Sequence, residues 1–577
     1  HPFGPGPMTQ KTGFETVNPN HPMSLLQAIP QIMQGQYGTV IGILVAYGAW
    51  WCWKEFKGPT PLKGSAFWAK SEHVRNAKSM VLAQQASTQI GDIAFQVGNV
   101  PITDAVTSTL SFGAPKTGKS FLVLNAQIYE HLKKGLPQVI VDLQYPVQTS
   151  LFVATAQQLG YRADDIHLFV PGEKASGIWN IDQHAEKSRA LAMAAMLQAN
   201  FSSKDGKEDD FFTPAGKQLI AAVLSLAHEF PNLNGVLGCA AVLGFDDLPT
   251  RLRSQTEQLE SVNPWMFSRF NQYLSSAKSD KTASSIAGTA ANLFGQFCDE
   301  DIVPSLIGET SFPLYLEGKK LLIIGCTPTL RKVVSPLLMA LLSLIVEENA
   351  VPGRKTQLQI AIDELPAIRY PDLVNHINEL RKFGVFFNLA AQTITQLKSQ
   401  FGENDTESIM TGVGTTVWLN PRSNVSAEYL SNALGTEKYR ETQYSSGTSG
   451  GKGNSSTSKQ SKDRKLFAAY QIRKLRQGTA IVFTRGISSR SEEYIPWKVK
   501  IKPDSTYLKM LGWAEKQWPY TRSQLVAFSP QHPPDGVLLT RARQAAETLL
   551  PEPPKPGQPV PVRPIRQETE DFFKSLT

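Results

Sequence analysis

Short apolar runs ending in a polar residue, each followed by a stretch with apolar residues at every third or fourth position, recur along most of this chain. Runs of that kind are strands buried on both faces and the stretches between them are amphipathic helices, so the alternation predicts a parallel sheet covered by helices. Ile90 to Val100 alternates enough to be a strand pair. Ser108 to Ser120, STLSFGAPKTGKS, is a short strand running into a glycine loop, and FLVLNAQIYEHLKKG behind it reads as a helix. LPQVIVDLQYP is a second buried strand ending in Asp142, after which SLFVATAQQLGY and DIHLFVPGE continue as helix and strand.

From about Asn180 to Gly308 the texture changes. EKSRALAMAAMLQANF, TPAGKQLIAAVLSLAHEF, LPTRLRSQTEQLESV and TASSIAGTAANLFGQF all carry helical spacing, with Asp, Pro and Gly between them, which predicts an inserted all-α domain. Strand signals return at FPLYLEGKKLLIIGCTP, then come the long apolar helix SPLLMALLSLIVEENA and the strand QLQIAIDELP. The helix LVNHINELRKFG, the strand VFFNLAAQ, the helical TQLKSQFG and the strand GTTVWL follow. Tyr444 to Asp463, YSSGTSGGKGNSSTSKQSKD, has nothing apolar after Tyr444 and is expected to be a flexible loop. RQGTAIVFTRG and EEYIPWKVKI are two closing strands, and helical pieces follow Pro503. LPEPPKPGQPVPVRPIR is then a stiff linker, and ETEDFFKSL a short amphipathic segment suited to a partner.

At the other end, His1 to Pro22 is an irregular lead, whereas Tyr37 to Trp53 is uncharged and apolar on every side. Its Trp and Tyr edges, with Lys54 and Lys57 just outside, predict a transmembrane helix, the alternative being a buried core helix. A signal peptide fits poorly, because the bulky WWCWKEF offers no small-residue cleavage site. Lys54, Lys57, Lys63 and Lys70 against Lys11 alone place the remainder in the cytoplasm.

With 577 residues the chain needs several domains, and 41% hydrophobic with 19% charged residues is the balance of a folded protein. A net charge of +8 suits nucleic acid, an acidic lipid surface or an acidic protein, and does not discriminate among them. Cys52, Cys239, Cys298 and Cys326 lie without C-x-x-C spacing and the nine histidines form no H-E-x-x-H cluster, so neither a disulfide framework nor a structural zinc is expected.

Two stretches carry chemistry. Gly113, Ala114, Pro115, Lys116, Thr117, Gly118, Lys119 and Ser120 fit the phosphate-loop pattern G-x-x-x-x-G-K-S between a strand and a helix. The glycines let successive amides point at one anion, Lys119 reaches the β- and γ-phosphates of ATP and Ser120 can ligate Mg²⁺. An ordinary glycine-rich turn lacks that strand and helix context. Asp363 and Glu364 end an apolar run where a central strand opens, so the first carboxylate can join the Mg²⁺ shell and the second can orient or deprotonate water.

Six stretches, in order, resemble the coupling-protein ATPases of type IV secretion systems, a RecA-like, FtsK-related family. GSAFWAKSEHVRNA resembles the Gly-Ser-Ala-x-Trp-Ala signature, GAPKTGKS the phosphate loop and TASSIAGTAANLF the end of the helical domain. IDELPAIRYPDLVNHINELRKFGV resembles the acidic strand, AAQTITQLKSQFGE the glutamine motif and GVGTTVWLNPRSNVSAEYLSNALG the next strand and helix. The resemblance covers roughly Gly64 to Ile501. It departs after the second strand, where relatives tend to show Asp-x-Lys-Gly and this chain has Asp142, Leu143, Gln144 and Tyr145, and only one strong membrane span is visible instead of two.

The resemblance implies an α/β, RecA-like P-loop NTPase domain with an inserted all-α domain, an N-terminal transmembrane segment and a proline-rich tail. Expected boundaries are 1–57 for the lead and membrane helix, 58–179 and 309–503 for the two parts of the nucleotide domain, 180–308 for the insertion and 504–577 for the helical pieces and tail. ATP and Mg²⁺ would sit at Lys119 and Ser120, Asp363 would serve the metal and Glu364 would be the base. Gln392 would sense the γ-phosphate, and Arg381 would be an arginine finger reaching a neighbouring subunit, Lys382 beside it being able to serve instead. The implied protein is a hexameric inner-membrane ATPase delivering effector proteins to secretion-channel components, with adaptors on its tail. The alternatives are a conjugative DNA motor acting on relaxase-bound DNA and a nucleotide-binding scaffold without turnover.

Overall fold

The computed structural model describes residue 46 and residues 65–86, 93–186, 188–201, 212–449 and 452–553. The expected membrane span lies, save for residue 46, outside them. Among the described residues no helix is long and apolar enough to cross a membrane. Packing divides the chain into two compact units, one of residues 1–66 and 436–464, the other of 67–435 and 465–577.

Thirteen strands are described: β1 (Phe95–Val97), β2 (Val100–Ile102), β3 (Thr109–Phe112), β4 (Gln138–Asp142), β5 (Ile166–Phe169), β6 (Leu321–Gly325), β7 (Leu358–Ile362), β8 (Val385–Ala391), β9 (Thr415–Trp418), β10 (Thr436–Ser449), β11 (Lys452–Lys465), β12 (Thr479–Thr484) and β13 (Trp497–Lys500). The strand pair expected over 90–100 is the antiparallel hairpin β1–β2. The larger unit is built on one nine-stranded sheet in the order β13-β12-β9-β3-β8-β7-β4-β6-β5. From β9 to β5 every pairing is parallel, and β12 runs antiparallel to both its neighbours. Runs such as LLIIG and LQIAI form its centre because both faces are covered, and every residue of β6, β7 and β8 is buried.

The two faces alternate residue by residue. Leu322, Ile324, Ile360, Ile362, Phe387 and Leu389 join a core shared with the helices Arg189–Phe201, Phe212–Glu229 and Arg331–Asn349. Ile140, Ile323, Ala361, Phe386 and Ala390 face the opposite way, with the helices Asn125–Lys133, Thr149–Gln158 and Ser505–Ala527. Between β5 and β6 the chain is helical, as its periodicity predicts, from Arg189–Phe201 through Asp280–Gly295.

Two expectations are corrected. The low-complexity stretch 444–463 is no loop: β10 and β11 pair with each other as a two-stranded ribbon. Strand pairing satisfies backbone amides without an apolar face, and β10 includes Thr and Tyr, which favour extended backbone. FPLYL contributes no strand either, only Leu321–Gly325 doing so. Pro313 lacks an amide donor, and its neighbours are held by a side chain: Leu316 N–H donates to Asn349 Oδ1 at 2.9 Å and Asn349 Nδ2 donates to Leu314 O at 2.7 Å.

Asn349 is fully buried, and its Oδ1 also accepts from Arg354 Nη1 at 2.6 Å. Asn349→Ala would take one of three hydrogen bonds from the buried Arg354 guanidinium and remove the partners of the Leu316 amide and the Leu314 carbonyl, and should lower the unfolding free energy by about 3 kcal/mol in urea titration. Asp182 offers a pH test. It is buried, its Oδ2 accepts from Gly235 N–H at 3.1 Å, and burial pushes its carboxyl up to about 6. A raised acid stabilises the fold below its unfolded pKa near 4, and that contribution is lost as pH rises through about 6. Between pH 4 and 7 the wild type should therefore lose on the order of 2–3 kcal/mol relative to Asp182→Asn, measured by paired urea titrations.

Candidate active site

Three loops leave the carboxyl ends of β3, β8 and β7 side by side. Phe112 is paired with Ala391 and Leu389 with Ile362, so Gly113, Gln392 and Asp363 emerge along one edge of the sheet. The carboxyl edge of a parallel sheet is where such folds bind ligands.

The loop after β3 is held from both sides. Ala114 N–H donates to Asn420 O at 3.0 Å just past β9, and Gly478 N–H, just before β12, donates to Thr117 O at 3.2 Å. Thr117 Oγ1 closes the turn on Ala114 O at 2.7 Å. Gly118 is left-handed at φ 101°, and a Cβ there would meet Leu122 Cδ1 at 2.6 Å, so only glycine fits without a shift. Pro115 and Lys116 are exposed at the crest. Among the described residues the amides of Lys116, Gly118, Lys119 and Ser120 make no backbone hydrogen bond, which leaves four donors at a helix start open to an anion. The helix itself begins with a wide π turn, Lys119–Leu124, before the α-helix Asn125–Lys133. Turns of this kind recur at functional sites.

Lys119 is buried, and its ammonium donates to Asp363 O at 2.9 Å and lies 3.4 Å from Asp363 Oδ1. Ser120 Oγ donates to the same Oδ1 at 2.6 Å. Beside them Gln392 Nε2 donates to Glu364 Oε2 at 3.1 Å. The phosphate-loop residues, both carboxylates and the glutamine thus form one constellation. A buried ammonium with open amides fits a phosphate chain, and a hydroxyl against a carboxylate is the hard-oxygen pair that Mg²⁺ takes.

Arg381 does not join this constellation. It is exposed in the turn Leu380–Phe383 before β8, at the amino end of the strand whose carboxyl end carries Gln392. Seven strand residues separate the two ends, roughly 20 Å. Burial raises the phenol of Tyr494, and Arg381 is near enough to act against that shift.

Two residues escaped the sequence reading. Gln148 Nε2 reaches Asp363 Oδ2 at 3.4 Å, from the loop where the family pattern is broken. Asn388 is fully buried within β8, and its Nδ2 donates to Leu124 O at 3.2 Å, bracing the π turn. An Asn inside the apolar run VFFNLAA was the signal for it. Asp142 faces elsewhere: its carboxylate accepts from Gln148 N–H at 3.0 Å and from Thr149 N–H at 2.9 Å and Oγ1 at 2.8 Å, capping the helix Thr149–Gln158. Burial raises its pKa against those bonds.

The phosphate-loop pattern thus sits at the carboxyl edge of a parallel sheet, with β8 inserted between its strand β3 and the acidic strand β7. Residues 357–477 match a family described as the TraM recognition site of TraD and TraG. Over 291 residues, 48% of this chain and 39% of the relative, the sequence is 24% identical to the coupling protein TraD of Escherichia coli (strain K12). The chain thus spans about two fifths of that relative's length. The fold is that of the bacterial conjugative coupling protein TrwBΔN70 in its unbound monoclinic form, with a TM-score of 0.58 at 17% identity over 78% of this chain and 94% of that one. TrwB in complex with ADP and Mg²⁺ matches with a TM-score of 0.56 at 16% identity over 78% and 96%. These likenesses support the reading of the chain as a type IV secretion coupling protein.

Proposed function

We propose that the chain is an ATP-hydrolysing coupling protein that feeds cargo to a type IV secretion channel. The observation that carries this is the meeting of Lys119, Ser120, Asp363, Glu364 and Gln392 at one sheet edge. TrwB, which shares the fold, has been crystallised with ADP and Mg²⁺ and with a non-hydrolysable ATP analogue. In the proposed site the open amides and Lys119 hold the phosphates, and Ser120 and Asp363 hold Mg²⁺, whose charge offsets that developing on the phosphate oxygens. Glu364 takes the proton of the attacking water, and Gln392 orients that carboxylate and senses the γ-phosphate.

Arg381 lies too far from its own site to act there, so its proposed role is in a neighbouring copy of a hexameric ring. The apolar segment 37–53 would anchor that ring in the inner membrane with the bulk in the cytoplasm. The proposed cargo is effector protein, recruited through adaptors on the proline-rich tail; that tail and the irregular lead resemble those of DotL, the Dot/Icm coupling protein. Conjugative transfer of relaxase-bound DNA is the second reading, favoured by the TraD and TrwB likenesses and by a matched segment named for TraM.

Lys119→Ala should abolish binding of a fluorescent ATP analogue. Glu364→Gln should keep that binding and lower phosphate release at least about 100-fold. Normal turnover in Glu364→Gln would end the proposed chemistry. For the neighbour's arginine, Arg381→Ala and Lys119→Ala chains, each inactive alone, should regain part of the turnover when mixed, and a mixture as inactive as its components would remove Arg381 from catalysis. Proteins recovered with the chain from membranes separate the cargoes: adaptors with effectors, or a relaxase with DNA.

A further inference from the structure

At the β5 edge of the sheet a cavity of about 760 Å³ opens between that strand and the end of the helix Ser505–Ala527. Ile166, His167, Phe312, Leu525 and Phe528 make its wall apolar, and Tyr520 stands at its mouth. Tyr520 is 65% exposed and Phe528 81%. Its size is that of a site for a small ligand or a pair of side chains. His167 Nε2 is buried without a partner, and burial holds the ring neutral by pushing its pKa down to about 4.

The cavity continues into a ridge. Lys509, Trp513, Lys516 and Tyr520 follow one another at helical spacing along the exposed face of Ser505–Ala527, and no carboxylate lies on that face. Neither lysine has an ion-pair partner among the described residues. Arg522, on the flank, is already paired with Glu173. Asp164 lines the cavity side, so its pocket favours rings and the ridge favours carboxylates.

We propose that this chain's own segment Glu568–Phe573, ETEDFF, folds back onto this surface, with Phe572 and Phe573 in the cavity and Glu568, Glu570 and Asp571 along Lys516 and Lys509. Its order, acids first and then two adjacent rings, matches the order of ridge and cavity. Its reach suffices. The path from Pro530, which lines the cavity, to Pro553 includes the helix Val537–Leu549 and cannot exceed about 58 Å. The proline-rich residues from Pro553 to Phe572 cover about 59 Å when extended as polyproline II. Docked in this way, the tail would be withheld from other partners.

The test is a photo-cross-linker, p-benzoylphenylalanine, at Gln524 of the full chain in its membrane. The expected product runs at the mass of one chain and maps by mass spectrometry to residues 566–577. F572A/F573A should reduce it about tenfold. K509E/K516E should reduce it severalfold at low salt and less at high salt. Both lysines are exposed, so an unchanged melting temperature will show that the fold is kept. A product at the mass of two chains, one joined to a different protein or to nucleic acid, or none mapping to the tail would overturn the proposal.

Discussion

Everything at the candidate site depends on the parallel register across β7, β8 and β3. Because Ala391 lies beside Phe112 and Ile362 beside Leu389, the chain leaves β8 and β3 at one level and β7 two residues short of it, along the same edge. A slip of one residue would turn Phe387, Leu389 and Ala391 to the face that now takes Phe386, Asn388 and Ala390. It would also carry Gln392 away from Glu364. Two cores of buried side chains, one on each face, oppose that slip. Packing of the sheet and alignment of the chemistry are therefore the same constraint.

Inside that frame the site is held by a shared carboxylate. Asp363 receives Lys119 and Ser120 from the phosphate loop and Gln148 from the loop after β4. A buried ammonium needs an anionic or carbonyl partner close by, and Asp363 supplies both. The loop is consequently ordered around its lysine while the amides of Lys116, Gly118, Lys119 and Ser120 remain open. A phosphate entering there would compete with Asp363 for Lys119, leaving the carboxylate to a cation. On the proposed reading, that exchange joins nucleotide and metal binding in one event.

What could be read from the sequence follows from range. Gly113 to Ser120 was legible because its chemistry is contiguous, and the Asp363-Glu364 pair because it ends a recognisable strand. The central strands were legible as unbroken apolar runs. The order of those strands was not, since nothing local says that β8 lies between β3 and β7. Gln148 and Asn388 were missed for the same reason: their partners, Asp363 and Leu124, are 215 and 264 residues away. The ribbon β10–β11 was misread because composition reports the lack of an apolar face, whereas two strands can satisfy each other's backbone without one. FPLYL was misread because its pattern is that of a strand while its hydrogen bonds go to Asn349.

The position of Arg381 follows from the same register. A strand has two ends, and β8 carries Gln392 at one and the turn holding Arg381 at the other. Charge stabilisation falls off too quickly for a guanidinium roughly 20 Å away to act on phosphate oxygens in water. Within one chain the residue can therefore serve only its own surroundings, Tyr494 among them. Any catalytic use of it requires a second copy whose carboxyl edge meets this chain's amino edge. That arrangement is head to tail, the heterologous kind of contact that closes rings. If Arg381 is the finger, hydrolysis depends on assembly as a geometric consequence of where the strand puts its two ends.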